Sequence, residues 1–554
     1  MQNFRPWLFL ILWSVMLHGC SLLGYYKTIP NPEEPNKPPK FDKETIMLGE
    51  LTPMRSSYDV SYYNLDLDID PKKKFISGSV TMHATALSDF DMFQLDLDQN
   101  FEISSLKDAW TGEELVYSRD QRGVFIVRNT LESEPFRIQI TYSGKPKKAK
   151  KPPWKGGFVW DKDDNNLPWA GVTCESEGAS IWWPCKDHTS DEPDSMDVHL
   201  TVPNMVKAIS NGVLQSTDNQ EEKTTYNWKI SQPINVYNVT FYLGDFESIS
   251  NNLPSITGDS ISLEYYVLPK NKEKATSHFK QVEEVIHAFE KIIGPYPWKE
   301  DGFKLIEAPY EGMEHQSAIA YGSGFKNDLY DTYDYIIIHE TAHEWWGNAI
   351  SVADLSDVWI QEGFATYSEY LFLEKTDCEN CADQLLNFYQ HTINNKYPVV
   401  SFPDRRWFHF RKSSDVYVKG AWILHTLRQQ VGDELFFDII RTFYYRFRYQ
   451  VVDSQDFIDV VNEKTTKNYN WFFEQYLYHY QIPELHFTIL NGRLYYHWKK
   501  TLPGFNQLEI KLDFGNQVLT ITPTQDEQEL ELPRTATSVR IDHNILMKLE
   551  REDE

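Results

Sequence analysis

"DYIIIHETAHEWWGNAI", Asp334 to Ile350, holds two histidines four residues apart, with a glutamate directly after the first. The segment Thr332 to Gly347 has the length and pattern of a buried helix, which Asp331 or Thr332 can cap. On a helix, residues i and i+4 lie one turn apart on the same face. His339 and His343 can therefore present ring nitrogens to a single ion. Zn2+ takes imidazole well, and its catalytic sites use three protein ligands plus a water. Glu340 lies about 100° further round the helix, too far to be an easy ligand but placed to take a proton from a metal-activated water.

The plainer reading is a polar patch on an ordinary helix. An H-E-x-x-H string arises by chance in roughly 3 of 100 chains of this length, so the motif needs company at a fixed offset. "WIQEGFATYSEY" places Glu362 nineteen residues after His343, at the position of a third ligand. That requirement lowers the coincidence to about 2 in 1,000. Glu362 is expected to start a helix of its own, with Gly363 allowing close packing against the first. Glu369, two turns further on, is either a partner behind the ligands or a surface residue. The expected site is His339, His343, Glu362 and one zinc ion.

At 554 residues the chain is too long for one compact core, and two to four domains are expected. Its 41% hydrophobic and 15% aromatic content is that of a folded protein with large sheets. A formal net charge of −27 argues against nucleic-acid binding.

A basic start, "MQNFR", precedes the apolar run "PWLFLILWSVML", too short to span a bilayer and suited to a signal-peptide core. The run ends in "LHGC", which is similar to the lipobox of bacterial lipoproteins and makes Cys20 the lipidation site. The alternative is an ordinary cleaved signal peptide. Four other cysteines remain, Cys174, Cys185, Cys378 and Cys381; "CENC" is expected to hold a local disulfide or two thiols.

Residues 1–20 thus read as a signal peptide and 21–47 as a proline-rich linker. Residues 48–255 alternate as strands, 256–482 carry mostly helical periodicity, and 483–554 return to alternation. In the middle segment, "SHFKQVEEVIHAFEKIIG" repeats apolar residues at helical spacing until Gly294 and Pro295. The fold class is multidomain α+β.

From the "YDVSYYNLDLDID" opening onward, the chain resembles the aminopeptidase N family of zinc metallopeptidases. "HETAHEWWGNAI" and "WIQEGFATYSEYL" match its paired zinc signatures. The resemblance implies a saddle-like β domain, a thermolysin-like catalytic domain and a small C-terminal β-sandwich, in a form without the family's large helical C-terminal domain. "APYEGMEHQSAIAYG", Ala308 to Gly322, is similar to the family's G-x-M-E-N motif. The resemblance implies substrate contacts at Gly312, Met313 and Glu314, with Glu314 gripping the α-ammonium. Glu311 stands where glycine is expected, and His315 replaces asparagine. "GVTCESEGASIWWPCKD" resembles the segment supplying a second amine anchor, at Glu175. "DVYVKGAWILHTL" resembles the Y-x-K-G-A element, and the implied role of Tyr417 is to donate to the tetrahedral oxyanion.

The expected function is a zinc aminopeptidase, exported and lipid-anchored in the bacterial cell envelope, acting on peptides with a free N-terminus. Glu340 and Tyr417 are its catalytic residues. The alternatives are a thermolysin-type endopeptidase, a bifunctional enzyme like the family's epoxide hydrolase with the same zinc site, and a non-catalytic binding lipoprotein. His315, His391, His409 and His425 read as packing or surface residues.

Overall fold

The computed structural model describes residues 40–400, 402–405, 414–515, 517–533, 539–542 and 544–552. The signal peptide, its Cys20, most of the expected linker, and His409 lie outside the described residues.

The linker expected over 21–47 gives way to order before its end. Asp42 caps a helix, Lys43–Gly49, by accepting from Thr45 N at 2.7 Å. The buried Arg55 guanidinium then donates to Met47 O and Glu50 O, and pairs with Asp96 at 2.6 Å. This ties the entering chain to the first unit.

The alternating segment forms that unit. Its largest sheet has seven strands, in the order Val213–Asn219, Lys223–Ile230, Ser195–Pro203, Tyr58–Asp70, Phe75–Ala86, Pro135–Gly144 and Phe101–Asp108. Tyr58–Asp70 and Ser195–Pro203 run parallel, so residues far apart in the chain share one sheet. Alternation places Tyr63, Leu65, Leu67 and Ile69 inward, fully buried. A four-stranded sheet, ending in Pro168–Thr173 and Gly157–Lys162, faces the second unit.

The boundary expected at 255/256 moves back to Glu247. Glu247–Pro254 pairs along its whole length with Ser260–Val267, which is part of the catalytic unit's sheet. That sheet continues through Phe303–Glu307 and Ile319–Tyr321 to Gly312–Met313, its last strand. Four helices matter for function: α1 (Lys280–Ile292), α2 (Tyr335–Ala342), α3 (Trp359–Leu373) and α4 (Val418–Val431). The apolar stripe of α1 buries Val282, Val285, Ile286 and Phe289 as its spacing requires.

The closing segment begins with two strands, Glu484–Leu490 and Arg493–Lys499, joined at Asn491 and Gly492, both with positive φ. They belong to a four-stranded sheet, and a separate three-stranded sheet accompanies it, giving a small two-sheet unit.

Candidate metal and peptide site

Helix α2 is shorter than the sequence implies, and its cap differs. Tyr330 and Asp331 have φ of 54° and 56°, left-handed values that exclude them from the helix. Asp334 caps it instead, accepting from Ile336 N at 3.0 Å. The other oxygen of this buried carboxylate takes Tyr321 OH and Ser323 Oγ, each at 2.6 Å. One aspartate thus fixes the helix start to the sheet. After Ala342 the chain makes a widened turn, with Asn348 N, Ala349 N and Ile350 N each donating five residues back. His343 sits at the helix end.

Both histidines are oriented from behind. His339 Nδ1 lies 2.7 Å from Glu369 Oε1, and Tyr389 OH donates to the other oxygen of Glu369. His343 Nδ1 lies 2.8 Å from the carbonyl of Trp346. The two Nε2 atoms consequently face each other at 3.1 Å and lie 3.6 and 3.4 Å from Glu362 Oε2. Two nitrogens bound to one tetrahedral zinc at ~2.05 Å are separated by about 3.3 Å. Glu362 Oε2 is buried with no hydrogen-bond partner. The residues therefore fit a zinc ion, and Glu369 is the outer partner that orders a ligand.

Gly363 lies at a close approach between helices. It meets α4: a Cβ there would stand 3.0 Å from Gly420 Cα, and one on Gly420 would stand 2.9 Å from Gly363 Cα. The two glycines let α3 and α4 approach backbone to backbone. That contact brings Tyr417, at the start of α4, over the ligands, where its hydroxyl donates to Glu362 Oε1 at 2.7 Å.

The strand Gly312–Met313 borders the same space. A Cβ on Gly312 would fall 2.5 Å from Glu340 Oε1, so the missing side chain makes room for that carboxylate. The Met313 side chain is buried in the core shared with the first unit. Glu314 is buried, accepts from Tyr237 OH at 3.2 Å, and has its carbonyl held by Asn348 Nδ2 at 2.9 Å. Glu175 arrives from the first unit. Its Oε1 is buried without a partner.

These carboxyls crowd one another. Burial, reinforced by Glu314, Glu362 and Glu340, pushes Glu175 well above the usual carboxylate range. Burial raises Glu314 as well, and Glu340 rises to about 8 from the same cause. Several carboxyls packed this closely favour cationic occupants, a metal ion and an ammonium group.

The nine expected residues within the described part lie around one space. The sequence reading missed Tyr237 and Tyr389, which hold the functional groups from behind and carry no motif of their own, and Asn348, which lies inside the quoted zinc signature but was given no role. His315 is buried, 2.7 Å from Tyr242 OH, and burial lowers its pKa to about 3, so it packs as a neutral ring. His425 lies against Tyr367, and His391 is exposed. Cys378 and Cys381 form a disulfide, while Cys174 and Cys185 are buried thiols.

Residues 277–476 match the family profile described as "Peptidase family M1 domain", and residues 59–237 match "Peptidase M1 N-terminal domain". Leucine aminopeptidase 2 of Vanderwaltozyma polyspora is 23% identical over 434 residues, covering 74% of this chain and 63% of its own length. Endoplasmic reticulum aminopeptidase 1 of Homo sapiens is 24% identical, covering 59% of this chain and 36% of its own length. The chain thus spans about a third to two thirds of these two relatives. Among solved structures, a mutant M1 zinc metallopeptidase from Deinococcus radiodurans, bound to a Tyr-Ser-Ala substrate, superposes with a TM-score of 0.64. It is 19% identical, and the match covers 77% of this chain and 95% of that one.

Proposed function

Because the chain belongs to peptidase family M1, the aminopeptidase N family, we propose that it is a zinc-dependent aminopeptidase releasing single residues from peptide N-termini. One observation carries the reading beyond a generic metallopeptidase. Buried Glu314 and half-buried Glu175, from two different units, stand together beside the His339–His343–Glu362 cluster. An endopeptidase needs an open cleft upstream of the scissile bond; here that position holds two carboxylates suited to an α-ammonium.

His339, His343 and Glu362 would hold a zinc ion, which when bound would supply Lewis acidity toward the scissile carbonyl and lower the pKa of a water to about 7. Glu340 takes the proton of the attacking water and returns it to the leaving amine. Tyr417 turns its hydroxyl from Glu362 toward the carbonyl oxygen as negative charge develops there. Glu314 and Glu175 hold the ammonium, so the first peptide bond and no later one lies beside Glu340. The backbone of Gly312 and Met313 offers a strand edge to the peptide.

The test is hydrolysis of fluorogenic amino-acid amides and their N-acetylated counterparts, with and without a zinc chelator. Chelator-sensitive cleavage of the free-amine set alone is expected. Cleavage of both sets equally contradicts the amine-anchor assignment, and silence on both contradicts catalysis.

We also propose that the protein is a lipoprotein of the bacterial cell envelope, acylated at Cys20 and tethered through the proline-rich segment. The support is the sequence pattern ending in "LHGC". Cys20→Ala is expected to move the protein from the membrane to the soluble fraction; an unchanged distribution overturns the anchor.

A further inference from the structure

The closing unit carries a second constellation of metal-ligating side chains. His486 and His497 occupy directly opposed positions on the antiparallel strands Glu484–Leu490 and Arg493–Lys499. Their side chains therefore emerge on the same face of the sheet, with ring centroids 5.6 Å apart. Glu552 follows the strand Lys548–Arg551, which runs parallel to Glu484–Leu490. Its backbone is pinned twice: Glu552 N donates to Phe487 O at 2.9 Å, and Glu552 O accepts from Thr488 Oγ1 at 2.7 Å. Three neighbouring strands thus each supply one ligand. One donor atom from each residue lies within 4.8 Å of the other two.

The surroundings also suit a metal. His486 Nδ1 is 2.8 Å from Glu552 Oε1, so this nitrogen faces the cluster. Its Nε2 is turned the other way, buried, unpartnered, and 3.7 Å from Glu484 Oε2. The Glu484 carboxylate at 3.7 Å makes no hydrogen bond to the ring, but its charge adds to the pull on a cation here. The cluster already attracts a cation, since Lys499 Nζ rests on Glu552 Oε1 at 2.8 Å. A divalent ion has to displace that ammonium.

We propose that His486, His497 and Glu552 form a second divalent-metal site that takes Zn2+ and clips the strand Lys548–Arg551 onto the closing sheet. Two imidazoles and one carboxylate make a donor set for zinc, and three protein ligands leave a position for solvent. The site binds more weakly than the catalytic one, because both histidines are only half-buried, Glu552 is exposed, and Lys499 competes.

The test is zinc stoichiometry of the full chain, by equilibrium dialysis and elemental analysis at micromolar free Zn2+. Two equivalents are expected for the natural sequence and one for His486→Asn/His497→Asn, with peptidase activity unchanged. His339→Ala/His343→Ala is expected to keep one equivalent, which separates this site from the catalytic reading. Lys499→Met, which removes the rival cation, is expected to tighten the weaker site several-fold. A single equivalent in the natural sequence overturns the proposal, as does a second equivalent that survives His486→Asn/His497→Asn. An affinity unmoved by Lys499→Met overturns the assignment of Glu552 as a ligand.

Discussion

At the scale of single residues, the site rests on groups that touch neither metal nor peptide. Glu369 orients His339 from behind at 2.7 Å. Replacing such a partner typically costs ten- to a hundred-fold in metal affinity. Glu369→Ala is therefore expected to lower zinc affinity by roughly that factor, measured by chelator competition, while far-ultraviolet circular dichroism stays unchanged. Tyr417 acts at a later stage. Tyr417→Phe keeps the ring but removes the donor, and kcat is expected to fall about 100- to 1,000-fold with KM little changed. An equal loss in zinc content would assign Tyr417 to Glu362 rather than to the oxyanion. The two histidines and the base were legible in the sequence because helical spacing fixes their geometry, and Glu362 because it stands at a fixed offset from them. Tyr237 and Tyr389 were not, since contacts between distant segments leave no local pattern; Asn348 lies inside the quoted signature, but only its bond to the Glu314 carbonyl reveals its part.

At the scale of elements, two glycines decide where α4 lies. The added Cβ of Gly420→Ala would meet Gly363 Cα at 2.9 Å, so α3 and α4 must part. Overpacking of this kind costs about 1 to 3 kcal/mol. It should also lower kcat by displacing Tyr417, while zinc content is retained; denaturant unfolding and kinetics on one preparation check both.

A second element-level effect lies in the turn before α3. Burial raises Asp357 from 3.8 to about 6, although Ser454, which starts the helix Ser454–Thr465, donates to it. The folded state then holds this proton more tightly than the unfolded chain does. Stability is lost as pH rises from about 4 through 6, by about 2 to 3 kcal/mol. Asp357→Asn should remove that slope, read from unfolding free energies across the same pH range.

Long periodic elements were legible in the sequence: the strands from Tyr58 and helix α1 match their patterns. The strands Gly312–Met313 and Ile319–Tyr321 were not, because two or three residues cannot display a period. The cap of α2 was misplaced for a related reason. Asp331, Thr332 and Asp334 are all competent caps, and only the left-handed backbone at 330–331 selects the last.

At the scale of the whole molecule, the first unit is part of the active site. It supplies Glu175 and Tyr237, and it holds the motif strand in place through Asn211. The buried Asn211 side chain donates to Asn238 O at 3.0 Å and to Gln316 O at 2.7 Å, and accepts from Thr240 N at 2.8 Å. Asn238 in turn donates to Asn348 at 2.7 Å, and Asn348 holds the Glu314 carbonyl. This chain of amides couples the two units to Glu314. Asn211→Ala leaves buried backbone groups unpaired, each worth about 1 to 3 kcal/mol. It is expected to lower stability and to raise KM more than it lowers kcat.

The most direct test of the central claim compares one short peptide, with its amine free and acetylated, across the natural sequence and Glu314→Gln. The account predicts that the natural sequence cleaves only the free-amine peptide, and that Glu314→Gln raises KM sharply while its zinc content holds at the natural level. Cleavage of the acetylated peptide at a comparable rate by the natural sequence would contradict it, and would make this fold an endopeptidase.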